Sequence, residues 1–236
     1  MRRIFVRHGE PDYAHDCLTE NGVIQAKCTA ERLKDEPIKA IFSSPMGRAR
    51  ETASFTAEMH GLPIEVLDFM HEINWGEARP DKVGTPEEVP YRGHPWTLGY
   101  KLLTEYPGYV GSEEWDRHPF FKDNLCMDYY RMISEKFDEF LMRFGLLRKD
   151  GLYLCEKPCD DTIALFAHGG SGAVMFSHIL SLPFPFTLTG LPYGVCSVSI
   201  VEFSVQGGKM VVPRLELFND MAHVDKVRLE KLHFEK

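Results

Sequence analysis

Short, continuous apolar runs alternate with longer amphipathic stretches along most of the chain. The apolar runs predict strands covered on both faces, at residues 2–6, 39–43, 64–67, 162–167, 196–204 and 209–218. Apolar positions at helical spacing predict helices over about 20–34, 47–60, 125–147 and 170–181. Residues 205–208 fit the turn of a hairpin between the last two strands. This alternation predicts an α/β three-layer sandwich, in which helices flank a mostly parallel sheet.

Residues 75–124 interrupt the pattern. This stretch contains all three tryptophans, Trp75, Trp96 and Trp115, and is rich in proline. Disordered linkers are poor in aromatic residues, so the stretch is expected to be folded. We therefore expect a single domain over residues 1–236, with residues 75–124 inserted after the third strand as a lid. The alternative is a structural elaboration that only packs on the edge of the sheet.

Composition and charge narrow the class of protein. The 236 residues are 44% hydrophobic and carry a net charge of -8 without a basic run, which argues against nucleic acid or an anionic membrane as partner. No apolar run reaches the ~20 residues of a membrane span, and the N-terminus enters a strand without an apolar signal region. We expect a cytoplasmic protein with reduced cysteines. Cys155 and Cys159 lack a second ligand pair, so neither a metal nor another cofactor is expected.

Two predicted strands end in similar polar residues. Arg7, His8 and Gly9 follow the first apolar run, and His168 and Gly169 follow the run at 162–167. In open α/β sheets, ligands bind beyond the carboxyl ends of the strands. A neutral imidazole can accept a phosphoryl group, and a guanidinium matches phosphate oxygens in bidentate fashion. The backbone N–H groups at the start of the helix after His168 also suit an anion.

Further segments complete a pattern. Residues 43–52 read Ser-Ser-Pro-Met-Gly-Arg-Ala-Arg-Glu-Thr, and residues 72–77 read Glu-Ile-Asn-Trp-Gly-Glu. Together with the two strand ends, and in this order, these segments make the sequence resemble the histidine phosphatase superfamily, the phosphoglycerate-mutase-like proteins. The resemblance spans residues 4 to 170 and implies the α/β fold described above.

The resemblance also implies a set of site residues. The catalytic candidates are Arg7, His8, Arg48, Glu72 and His168. The phosphate-binding candidates are Arg7, His8, Arg48, His168 and Gly169. Glu72 would be the general acid for the leaving alkoxide, which requires a raised pKa, and Ile73 and Trp75 could desolvate it. Glu77 is the fallback acid, and Arg50 is expected on a solvated helix face.

Some positions depart from the family pattern. Pro11 and Ala14 stand where members often have Thr and a phosphate-contacting Asn, and His15 or Asp16 could lie nearby without replacing that Asn. Residues 72–76 lack the Glu-Arg-His-Tyr-Gly motif of the true mutases. The segment looks most like the branch that includes α-ribazole phosphatase.

We therefore expect a metal-independent phosphomonoester hydrolase that acts through a phosphohistidine on a small phosphorylated metabolite. A phosphoglycerate mutase-type phosphoryl transfer and a catalytically silent module that binds a phosphorylated ligand are the alternatives. The sequence leaves the natural substrate and the oligomeric state open.

Overall fold

The computed structural model describes residues 1–75 and 93–224. The strands are β1 (Arg2–Arg7), β2 (Pro11–Asp12), β3 (Cys17–Leu18), β4 (Ile38–Ser43), β5 (Ile64–Val66), β6 (Leu146–Lys149), β7 (Leu152–Cys155), β8 (Thr162–Ala167), β9 (Val198–Glu202), β10 (Lys209–Val211) and β11 (Arg214–Asp220). The helices are α1 (Glu20–Leu33), α2 (Gly47–His60), α3 (Pro95–Glu105), α4 (Cys126–Met142), α5 (Gly169–Leu180) and α6 (Phe184–Gly190). Short 3₁₀ turns include Asp68–Met70, just before Glu72.

The central sheet is mainly parallel, as the sequence predicted. Within the described residues it has the strand order β11-β9-β1-β8-β4-β5. Strand β8 pairs in parallel with both β1 and β4, and β4 pairs in parallel with β5, whereas β9 is antiparallel to its two neighbours. The carboxyl ends of β1, β8 and β4 therefore lie side by side at one edge.

Helices cover both faces of this sheet. Successive side chains of β1 point to opposite faces, so Phe5 belongs to one core cluster and its neighbours Ile4 and Val6 to another. The Phe5 cluster includes apolar residues of α4 and α5, and the Ile4 cluster includes residues of α1 and α2. The predicted three-layer arrangement is confirmed.

The stretch predicted as one helix over 125–147 contains a helix and a strand. Helix α4 ends at Met142, and Gly145 has a φ of +79° that only glycine adopts easily. A β-carbon there would lie 2.1 Å from the carbonyl oxygen of Lys157. β6 follows and pairs with β7 across Asp150 and Gly151, whose positive φ values are those of a type I′ hairpin turn.

The hairpin predicted around residues 205–208 is wrong. Strand β10 pairs with β7 in a separate three-stranded sheet, and β11 is the strand that pairs with β9. The single run predicted over 209–218 is thus two strands of different sheets. Pro213 lies between them, where a residue without a backbone N–H donor interrupts strand pairing.

The described part of the insert, residues 93–124, is folded and packed. Helix α3 crosses α6 so closely that a β-carbon on Gly99 would lie 3.2 Å from Cγ2 of Thr189. Trp115 is buried and makes edge contacts with Phe121 and Tyr130. Residues 76–92, including Glu77, lie outside the described residues, so the lid stays a prediction. None of the described helices is long and apolar enough to cross a membrane.

Candidate active site

The catalytic candidates converge at the carboxyl edge of the sheet. Arg7 pairs with Ala167 in the β1–β8 register, so His8 and His168 are the next residues of two neighbouring strands. Their ring centroids lie 5.1 Å apart. Arg48 enters from the first turn of α2 after β4, and Glu72 enters from the segment after β5. Strand pairing thus joins residues far apart in the chain.

His8 is held in one orientation. Its Nδ1 lies 2.7 Å from the carbonyl oxygen of Gly9, which can only accept, so Nδ1 carries the proton and Nε2 is the basic nitrogen. The ring makes no other hydrogen bond to the described residues. Burial, helped by the charges of Arg7 and Arg48, lowers the pKa of His8 to about 4. A neutral imidazole with a free Nε2 is therefore the form present near neutral pH.

Arg48 is positioned by a residue to which the sequence assigned no role. Its Nη1 donates to Oδ1 of Asp16 at 2.6 Å, and the N–H of Gly47 donates to Oδ2 of the same carboxylate at 2.6 Å. The Arg48 side chain is only 6% exposed, and its buried Nε has no hydrogen-bond partner among the described residues. Tyr13 lies over the guanidinium, with its ring centroid 5.4 Å from Cζ. Asp16 thus holds one edge of the guanidinium group, and Nη2 contacts Sδ of Met46 at 3.3 Å. The remaining N–H groups are left for a ligand.

Arg7, the last residue of β1, is the second cation of the site. Its Nη1 donates to the carbonyl oxygen of Tyr193 at 2.6 Å, and its buried Nε has no partner within the described ranges. Gly169, the first residue of α5, is so near that a β-carbon there would lie 3.4 Å from Arg7 Cζ. The cation and the start of a helix therefore meet at one point, which suits an anion.

His168 lies beside His8 at the same edge of the sheet. Its Nε2 forms a hydrogen bond of 2.6 Å with Oγ of Ser44, and that oxygen also accepts from the N–H of Met46. Because a hydroxyl oxygen can accept two hydrogen bonds, either the imidazole or the hydroxyl can be the donor between Nε2 and Oγ. The other ring nitrogen, Nδ1, is buried and unpartnered in the part of the chain that the structure describes. Burial and the neighbouring positive charges lower the pKa of His168 far below that of a free histidine, so the ring is neutral.

Glu72 has the environment that a general acid needs. Burial raises its pKa, against the opposing effect of two backbone N–H donors. These are the N–H groups of Ile73, at 2.9 Å, and Ser171, at 3.0 Å, and both donate to Oε1. Oε2 is the atom left to carry the proton. The first turn of α5 approaches so closely that a β-carbon on Gly170 would lie 2.6 Å from Oε1.

Other residues of the motifs link the segments to each other. Oγ1 of Thr52 accepts from the N–H of Gly9, and a carboxylate oxygen of Glu51 accepts from the N–H of Leu18. Glu10 accepts from the side chains of Thr19 and Asn21 around the start of α1. These contacts fix the loop that follows β1. Glu10, Glu51 and Thr52 of the family motifs therefore have a structural role.

The departures at residues 11 and 14 lie in a short hairpin formed by β2 and β3. Ala14 is exposed, and its apolar side chain offers phosphate no hydrogen bond. Arg50 is exposed on α2, as expected. In the described ranges, no three His, Cys, Asp or Glu side chains are grouped so that they could hold a metal ion.

Comparison with known proteins places this site in a family. The model of the histidine phosphatase superfamily, branch 1, matches residues 3–96. A probable phosphoglycerate mutase, GpmB, of Yersinia pestis strain Pestoides F is 36% identical over 238 residues, which cover 96% of each chain. This chain belongs to the histidine phosphatase superfamily. The relatives that this chain matches include probable phosphoglycerate mutases, in agreement with the resemblance seen in the sequence.

Solved structures share the fold of this histidine phosphatase family member. Phosphoserine phosphatase of Entamoeba histolytica, in complex with 3-phosphoglyceric acid, is 22% identical with a TM-score of 0.62, and the match covers 94% of this chain and 98% of that one. α-Ribazole phosphatase of Shigella flexneri is 16% identical with a TM-score of 0.59, covering 94% of this chain and 97% of that one.

The structure brings all five catalytic candidates and Gly169 together. It also gives contacts within the site to Ser44 and Tyr193, which were not among the candidates, and to Asp16, which the sequence analysis named only as a residue that could lie near the phosphate site. Ser44 lies within the quoted motif, so its position was a usable signal. Asp16 and Tyr193 act through contacts made by loops, for which the sequence contains no periodic pattern.

Proposed function

We propose that this chain is a phosphomonoester hydrolase that forms a phosphohistidine on Nε2 of His8. The observation that carries the proposal is the bond from Nδ1 of His8 to the Gly9 carbonyl, together with the lowered pKa. These two features keep the ring neutral and leave Nε2 as the nucleophile. Arg7, Arg48, His168 and the first N–H groups of α5 would surround the transferring phosphoryl group.

In the first step, Nε2 of His8 attacks phosphorus, and the bond from phosphorus to the ester oxygen breaks. The electron pair of that bond goes to the leaving alkoxide, which takes the proton from Glu72. The raised pKa of Glu72 supports this role, because the carboxyl group must be protonated before the step.

In the second step, water attacks the phosphohistidine. The Glu72 carboxylate accepts a proton from that water, and the P–N electron pair returns to Nε2. Inorganic phosphate leaves, and both residues regain their starting protonation states. Only this chain's residues and water take part.

Independence from metal is part of the proposal. Arg7 and Arg48 supply the positive charge that a metal ion brings to other phosphoryl-transfer sites. Activity is expected to survive EDTA, and a large loss that Mg²⁺ or Zn²⁺ restores would contradict this part.

The second candidate is phosphoglycerate mutase-type phosphoryl transfer, which the 36% identity to the probable phosphoglycerate mutase GpmB favours. Against it, residues 72–76 lack the mutase motif around the acid. The two candidates differ in whether water or a second phosphoglycerate hydroxyl takes the phosphoryl group.

Free phosphate released from a panel of phosphorylated metabolites tests the proposal. We expect release from at least one alkyl phosphate without any bisphosphorylated primer. Interconversion of 2- and 3-phosphoglycerate that needs 2,3-bisphosphoglycerate, without net phosphate release, would favour the mutase. Binding of phosphorylated ligands without either reaction would indicate a silent module.

A further inference from the structure

A pocket of about 340 Å³ opens beside the phosphate site. Arg7 and Gly169, two of the proposed phosphate ligands, line it together with Trp75 and Trp96. Its position next to the proposed phosphate ligands makes it the place where the alcohol half of a phosphate ester would lie.

The pocket follows one face of α5. Gly169, Ala173 and Phe176 all line it, and their spacing of four and three residues places them on the same side of the helix. Seven residues of helix span about 10 Å, at about 1.5 Å per residue. The pocket thus extends well beyond the phosphate group.

Most of the wall of this pocket is apolar. It includes, besides the two tryptophans, Phe176, Leu188, Leu191, Pro192 and Phe218. Tyr193 also lines it, and its buried hydroxyl has no hydrogen-bond partner among the described residues. The protons of the threonine hydroxyls in the wall already bind backbone carbonyl oxygens. Oγ1 of Thr187 lies 3.2 Å from the carbonyl oxygen of Ala173 and 3.0 Å from that of Phe184, and Oγ1 of Thr189 donates to that of Pro185 at 2.7 Å.

Charge is sparse in the described lining of the pocket. Arg7 is the one charged residue among the described residues that line it, and its Nη1 already binds the carbonyl oxygen of Tyr193. Among the described residues, a carboxylate on the alcohol half would lie against tryptophan, phenylalanine and leucine side chains without a cationic partner other than Arg7. Burying a charge in that way is unfavourable.

We propose that this pocket binds an aromatic or branched aliphatic alcohol group that bears no carboxylate. The proposal rests on the proposed hydrolase function and names its class of substrate: monophosphate esters of apolar alcohols. It also disfavours phosphoglycerate, whose carboxylate would enter this pocket when its phosphate lies between Arg7 and Arg48.

A matched pair of esters tests the proposal. 3-Phenylpropyl phosphate and 3-carboxypropyl phosphate have similar unactivated leaving groups and differ in the phenyl or carboxylate end. We expect kcat/KM to be at least about 10-fold higher for the phenyl ester, since apolar pockets discriminate by about 10- to 200-fold for a single small group. Equal values, or a preference for the carboxylate ester, would overturn the pocket proposal while leaving the hydrolase proposal intact.

p-Nitrophenyl phosphate distinguishes failure of the hydrolase function from failure of the pocket proposal. Phosphate release from none of the three esters would refute the hydrolase function, and the pocket proposal with it. Release from p-nitrophenyl phosphate together with equal alkyl ester rates would refute the pocket proposal alone.

A charge introduced into the wall should reverse the preference. Leu188 is half-buried in the wall, whereas Leu125 is 57% exposed outside the pocket, so Leu125→Arg is the matched control for Leu188→Arg. We expect Leu188→Arg to lower the phenyl-to-carboxylate ratio of kcat/KM at least about 10-fold and Leu125→Arg to leave it unchanged. Inhibition by inorganic phosphate reports whether the phosphate site is intact. An unchanged phenyl-to-carboxylate ratio in a Leu188→Arg enzyme with an intact phosphate site would overturn the proposal. If that variant does not fold, the ratio measured for the wild type decides whether the proposal holds.

Discussion

The Asp16 carboxylate orients the guanidinium group of Arg48. It binds Nη1 of Arg48 and the N–H of Gly47 at once, so the guanidinium is oriented before a ligand arrives. Preorganised donors of this kind stabilise developing charge without reorganising during the reaction. The function of Arg48 therefore depends on a residue more than 30 positions earlier in the chain.

Arg48→Ala should lower kcat by about 10²–10³, the usual cost of removing one preorganised donor. Arg48→Lys should recover little, because an ammonium group cannot form the two parallel bonds of a guanidinium. Asp16→Asn should cause a smaller loss, since the Gly47 contact can remain. Steady-state kinetics with a single alkyl phosphate measures all three. Arg50→Ala, on the exposed side of the same helix, is the control, and a near-normal rate in Arg48→Ala would contradict the assignment.

Glu72→Gln should affect substrates according to their leaving groups. An alkyl alkoxide needs a proton as it departs, whereas nitrophenolate is a stable anion, so alkyl phosphates should slow far more than p-nitrophenyl phosphate. In the wild type, the rate should rise with pH as His8 loses its proton near pH 4, and fall as Glu72 loses its own at the raised pKa. The variant should lack that basic limb. Equal slowing of both substrates would mean that Glu72 only positions the phosphate.

The first turn of α5 supports several parts of the site at once. Gly169 lies beside Arg7, Gly170 against Glu72 and Ile73, and the N–H of Ser171 donates to Glu72. Gly169 and Gly170 therefore allow Arg7 and Glu72 to lie close to the start of this helix, beyond any role of the two glycines in ending the strand.

Gly170→Ala should displace Glu72, because the new β-carbon would lie 2.6 Å from Oε1 and 2.4 Å from Cγ1 of Ile73. We expect a loss of activity that is larger for alkyl phosphates than for p-nitrophenyl phosphate, as for Glu72→Gln. Gly108→Ala is the matched control, since nothing lies within 4 Å of its β-carbon position. Parallel assays of both variants and of their thermal unfolding midpoints check this. Equal effects of the two substitutions would rule out the proposed contact.

The sequence predicted the elements of the central sheet better than those outside it. Strand β8 is buried throughout, and all of its residues after Thr162 are apolar because both of its faces are covered, which produces a clear signal. Strands β6 and β7 are short and only partly buried, so apolar pattern alone did not separate β6 from helix α4. The Asp150–Gly151 pair is a strong hairpin signal that the sequence analysis did not use. α3 and α6 depend on packing against each other, which no local pattern encodes.

Site residues at strand ends were predictable because strand pairing places them. His8 and His168 follow directly from the β1–β8 register. The contact of Asp16 with Arg48 was not predictable, since it depends on the loop around β2 and β3, where Asp16 itself has a φ of +49°. The loop conformation determines which carboxylate meets the guanidinium, and sequence spacing does not specify that conformation.

The buried titratable groups of the site should make the stability of the whole molecule depend on pH. His8 and His168 stay neutral in the folded chain because their pKa values are lowered, whereas both are protonated in the unfolded chain below about pH 6.5. The neutral histidines therefore stabilise the folded chain relative to the unfolded chain above that pH, and this stabilisation is lost as the pH falls. Glu72 acts in the opposite direction, because its raised pKa keeps it protonated when folded.

Between about pH 5 and 6, the two histidines leave more protons on the unfolded chain than on the folded chain, and the single proton of Glu72 offsets only part of this difference. The free energy of unfolding should therefore rise with pH over this range, as urea denaturation at several pH values would measure. His168→Gln should reduce this slope, and His15→Gln, at a side chain that is 77% exposed, should not. Stability that falls with rising pH over this range would contradict the neutral state of the two histidines.

The covalent intermediate is the central claim, and rapid-quench labelling tests it most directly. The enzyme is mixed with an alkyl phosphate carrying ³²P and quenched in alkali, and its peptides are analysed by mass spectrometry. We expect acid-labile phosphate on His8, its absence in His8→Ala together with loss of turnover, and its retention in His15→Ala. Label on His168 instead, or undiminished turnover in His8→Ala, would contradict the account.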